Sequence, residues 1–155
     1  MTEINSKLYF HKGIKSIHSI KDIDLDVLDN GNAINGSYKF NDLSFTFLDI
    51  TDDNKNYNIF ANYLSLRFEI PKVKRQKNFK KEFTDFFKNE ISSTAGIDAT
   101  YEFEEDKVKI NIYSSIPYKG EVDKTENIIL PTIEIMYSLH LEIYLFFMKH
   151  EKEHD

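Results

Sequence analysis

The 155-residue chain contains no cysteine. That excludes disulfides, thiolate metal sites and a cysteine nucleophile together, and it fits a reducing compartment. Glycine is scarce as well, with 5 in the whole chain. Close approach of the backbone to a phosphate or a reacting atom calls for glycine, and the sequence shows neither a phosphate-binding glycine-rich loop nor a nucleophile elbow. No catalytic constellation emerges, and the expectation is a non-enzyme without cofactor or bound metal. The N-terminal stretch MTEINSKLYF has neither the basic n-region nor the apolar h-region of a secretory signal. A cytoplasmic location is expected.

What the chain does have is aromatic bulk. Thirteen Phe, 9 Tyr and a hydrophobic content of 41% are enough to build a core although 30% of residues are charged. The length suits one globular domain over 1–155. The net charge of −6 is uneven: residues 1–70 carry −3, residues 71–90 carry +4 and residues 91–155 carry −7. A largely acidic surface repels nucleic acid and anionic membrane and draws in basic proteins.

Periodicity supplies the elements. In YEFEEDKVKINIY, residues 101–113, a two-residue turn at Glu105 and Asp106 places Phe103 opposite Val108 and Tyr101 opposite Ile110 on one face. The other face then pairs Glu104 with Lys107 and Glu102 with Lys109. A second hairpin turns at Asn41 and Asp42, with Phe40 against Leu43, Tyr38 against Phe45 and Lys39 with Ser44 outward. Leu64, Leu66, Phe68 and Ile70 alternate with polar residues in a further strand that Pro71 closes. Ile23, Leu25 and Val27 alternate with Asp22, Asp24 and Asp26, a strand with a row of carboxylates, and DNGN after it is a turn. KLYF at 7–10 reads as another strand. Phe79, Phe83, Phe86, Phe87 and Ile91 recur at helical spacing, predicting a helix near 76–93 that stops before Gly96.

The segment 133–147 fits both periods, but its length favours a helix, near 126–152, with Asp123 or Thr125 as cap and Pro131 in its first turn. Glu134, His140 and Glu142 interrupt it, which favours a buried helix over a membrane span. The sum is an α+β fold: a mostly antiparallel sheet of four to six strands, a meander plus a C-terminal hairpin, with these two helices.

Several motifs invite chemistry. HEKEHD places His150, Glu151 and His154 in the H-E-x-x-H spacing of a zinc protease. Such a site needs a third protein ligand and a rigid surround, whereas this pair sits in a charged tail, and the expectation is a solvated helix end. Asp22, Asp24 and Asp26 lack the glycine and glutamate of a calcium loop, because large apolar residues stand between them. The basic cluster Lys72, Lys74, Arg75, Lys77, Lys80 and Lys81 has a single arginine and lies in a negative field, so it reads as a solvated helix face rather than a nucleic-acid site. His140, between Leu139 and Leu141, reads as a core or edge residue, and His11 and His18 have no evident companion.

These features describe a protein-binding domain. The sharpest form is an acidic inhibitor, such as a bacterial immunity protein, that neutralises a basic nuclease-type toxin by covering its cationic substrate site. Asp22, Asp24, Asp26, Asp29, Asp52, Asp53 and Tyr57 are the candidate contact residues, with Glu102 and Glu104 set aside as internally paired. Two alternatives remain: a dimeric module like the secretion chaperones, holding an effector segment, and a small-ligand domain built around Glu134, His140 and Glu142.

Overall fold

A computed structural model describes the chain except residues 1, 2, 52, 53, 55, 73–75, 122 and 153–155, and the side chains of 76, 77 and 152. It is an α+β fold with a six-stranded antiparallel sheet. The elements, in order, are α1 Phe10–Ser16, β1 Ile20–Leu28, β2 Ala33–Phe40, β3 Leu43–Thr51, β4 Asn58–Glu69, α2 Gln76–Phe86, β5 Asp98–Phe103, β6 Lys107–Tyr118 and α3 Glu126–Lys152. The strands lie in the order β1-β2-β3-β4-β6-β5. By contacts the chain forms two compact units, residues 1–64 with 113–134 and residues 65–112 with 135–155.

In the first unit the meander follows the alternation closely. Phe40 faces Leu43, Lys39 faces Ser44 and Tyr38 faces Phe45. Asn41 and Asp42 take φ of 50° and 65°, the left-handed pair that lets a two-residue turn match strand twist. Phe45, Phe47, Phe60 and Leu64 are fully buried on the inward face, and burying each such side chain contributes roughly 1.5–3 kcal/mol. DNGN forms a single 3₁₀ turn at Asp29–Gly31 with positive φ at all three residues.

Two expectations fail in this unit. KLYF is not a strand: its last residue opens α1, a short helix the sequence reading missed. Phe10 and Ile14 of α1 are buried, while seven residues give too weak a period to distinguish from alternation. The carboxylate row of β1 is also interrupted. Lys21 faces Lys39 and Asp24 faces Ser37, so Asp22 and Ile23 together oppose Tyr38 in a bulge, with Asp22 at φ 54°.

In the second unit α2 continues into one π-helical turn, Phe87–Ile91, so that the helical stretch runs over 76–91, close to the expected 76–93. Phe79, Phe83, Phe87 and Ile91 are buried at four-residue steps. The three phenylalanine rings meet Phe146 and Phe147 of α3 and Tyr101 and Phe103 of β5, an aromatic cluster with edge and tilted contacts. The Glu105–Asp106 turn stands, closed by the Glu104 amide donating to the Lys107 carbonyl at 2.8 Å. Glu104's side chain, however, accepts from Arg67 Nε at 3.1 Å instead of pairing with Lys107.

Helix α3 keeps its expected bounds. Pro131 lies inside it, beyond the first turn, where it cannot donate to the carbonyl of Asn127. Helix α3 buries one stripe, Ile129, Ile133, Met136, Leu139, Ile143 and Phe147, and not its whole circumference; by length and composition alone it is long and apolar enough to cross a membrane, and 28% of that apolar window is buried. Ile135, Leu141, Tyr144 and Leu145 are exposed.

Candidate functional site

Strand β1 owes its surface to its place at the outside of the sheet. Paired to β2 alone, it carries its carboxylates on the outward face that Asn35 and Ser37 of β2 share. Asp24 and Asp26 are exposed and line an open depression of about 480 Å³ with Asn35, Ser37, Thr46, Leu48 and Tyr63. Among the described residues no ion pair reaches either carboxylate. Tyr63 packs against Tyr113 with ring centroids 5.0 Å apart and the rings tilted by 36°; partial burial, and Tyr113 beside it, raise its phenol above the ordinary value. The site therefore joins two unneutralised carboxylates, hydroxyl and amide groups and an aromatic wall, which suits a cation with an apolar stem.

The other candidate residues are distributed differently. Asp22, in the bulge, reaches Lys39 at 3.8 Å, with side-chain exposures of 71% and 51%, a pair that solvent screens heavily. Asp29 is exposed at the start of the 3₁₀ turn. Tyr57 is exposed but lines other depressions than the one Asp24 and Asp26 share. It lines a cavity of about 400 Å³ with Ser6, Lys7, Tyr9, Asn58 and Lys119, and an apolar shelf with Ile59, Pro117 and Tyr118. Asp52 and Asp53 lie outside the described residues, as do His154, Lys74 and Arg75.

The strongest polar assembly was not legible beforehand. Asp49 of β3 is 0% exposed and accepts three hydrogen bonds: from the His11 amide at 3.1 Å, from His11 Nδ1 at 2.9 Å and from the Tyr118 hydroxyl at 2.6 Å. Burial first, and the Asp49 charge second, push the Tyr118 phenol well above its ordinary value, so it stays a donor. The trio fastens α1 to β3 and β6. A clue did exist: Asp49 continues the inward alternation of Phe45 and Phe47, and a carboxylate in that phase needs buried donors.

Histidines in the second unit are structural as well. His150 Nδ1 donates to the Phe146 carbonyl at 2.9 Å, and Nε2 meets Glu82 at 2.5 Å. The ring is wedged against Phe79 and Phe146, so His150 is committed to packing. His140 sits among Phe68, Tyr137 and Tyr144, and its buried Nδ1 has no hydrogen-bond partner among the described residues. Burial lowers its pKa from 6.5. Glu134 and Glu142 are exposed on α3, so these three residues do not build a shared pocket. Among the described residues no three His, Asp or Glu side chains gather as metal ligands.

No family model matches the chain, nor does any curated protein or solved structure.

Proposed function

We propose that this chain is a non-catalytic protein-binding domain that captures a basic partner on the outward face of β1 and β2, in the manner of an immunity protein that neutralises a nuclease-type toxin in the cytoplasm. One observation carries the reading: Asp24 and Asp26 stand two residues apart on one face of a strand paired to β2, exposed and without an ion pair among the described residues. A strand places such charges at fixed spacing without side-chain reordering, which favours a preorganised contact. Nucleases present cationic surfaces to hold phosphate, and an acidic inhibitor gains electrostatically steered association with them.

The test is inhibition. Cationic nuclease domains encoded beside this chain's gene are titrated with it, and activity and association rate are followed at low and high salt. One-to-one loss of activity, an on-rate that falls with salt, and a large loss of affinity in Asp24→Lys/Asp26→Lys are expected. Equal binding by the charge-reversed variant, or capture of neutral and acidic proteins alone, refutes the proposal.

A further inference from the structure

The outer edge of β1 is open in three respects. Besides its ladder with β2, no backbone hydrogen bond among the described residues reaches positions 21–28. The aliphatic row on its other face is unfinished: Ile23 and Leu25 are half-buried and Val27 is 36% exposed, while Leu28, in phase with the aspartates, is 44% exposed. The carboxylates of Asp24 and Asp26 stand on the outward face. Such an edge offers main-chain groups for affinity and alternate side chains for selection.

We propose that β1 is a strand-addition edge, and that an extended segment of the basic partner, with Lys or Arg alternating with aliphatic residues, pairs along residues 24–28 as a further strand of the sheet. This rests on the reading of the chain as a binder of basic protein and adds the mode of recognition. Charge complementarity selects the occupant. Basic side chains of the added strand fall beside Asp24 and Asp26, and its aliphatic ones extend the row of Leu25 and Val27. The same carboxylates repel a second copy of this edge, so self-pairing is disfavoured where a cationic strand is welcomed. The bulge at Asp22 and Ile23 and the turn at Asp29–Gly31 bound the regular ladder and define the length of the segment it takes. Strand β5, the other outer strand, is shorter, and its inward Tyr101 and Phe103 are engaged by Phe83.

The experiment uses the full chain and a seven-residue peptide in which lysine and valine alternate, with a fully N-methylated peptide of the same sequence as control. Backbone amide shifts and hydrogen exchange are followed by NMR up to millimolar peptide. The alternating peptide is expected to shift and protect amides within 21–28, and the methylated one to bind about tenfold or more weakly, through loss of several backbone hydrogen bonds. Equal affinity for both peptides, each lost in Asp24→Lys/Asp26→Lys, overturns strand addition while leaving charge recognition intact. Shifts confined to β5, or none at millimolar peptide, overturn it as well.

Discussion

At the scale of single residues, buried polar groups divide into satisfied and unsatisfied ones. Tyr118 donates to Asp49 inside the core. Tyr118→Phe keeps the ring stacked on Phe10 but leaves a buried acceptor short of a donor, at a cost of about 1–3 kcal/mol, measurable by chemical denaturation. Ser114 behaves oppositely. Its buried hydroxyl has no hydrogen-bond partner among the described residues, and Ser114→Ala is expected to leave stability unchanged or raise it. His140 adds a pH dependence. Because its pKa is lowered in the folded protein, the unfolded chain takes up a proton near pH 6.5 that the folded ring refuses. Stability is therefore intact above that pH, falls as pH drops through it, and stops falling once the folded ring titrates. His140→Phe suits the aromatic surroundings, and relative to it the wild type should lose stability between about pH 8 and about pH 5; parallel curves for the two proteins disprove the assignment.

Elements show where pattern and packing agree and where they part. The hairpin at Asn41 and Asp42 was readable because turn residues, alternation and pairing all select one register. Helix α1 was not, since its identity comes from burial of Phe10 and Ile14 and from the Asp49 clamp. Gly13 of α1 is specified by proximity alone. A Cβ there meets Thr125 Oγ1 and lies 2.8 Å from Ile129 Cδ1, so Gly13→Ala should cost about 1–3 kcal/mol from overpacking. Pro131 in α3 is exposed and removes one helical hydrogen bond. Pro131→Ala is expected to raise the melting temperature, by up to about 3 kcal/mol in free energy. Leu145, 62% exposed, should accept Lys within about 0.5 kcal/mol.

Across the whole molecule, composition set the class and tertiary structure set the surface. Replacing Asp24 and Asp26 by Ser removes two charges from exposed positions, and the melting temperature should hold within a few degrees while the salt dependence of binding weakens. Sequence alone determined the antiparallel α+β class, the bounds of α3 and the two hairpin turns, because alternation, helical spacing and turn residues are local properties of the chain, whereas the strand order and the bulge in β1 came only with the fold. It could not sort the carboxylates. Asp22, Asp24 and Asp26 look equivalent in sequence, yet a bulge turns Asp22 toward Lys39 and leaves the other two unpaired among the described residues. Asp49 and His11, 38 positions apart, meet only after folding. A charge's partners are fixed by long-range neighbours, and those exist only in the tertiary structure.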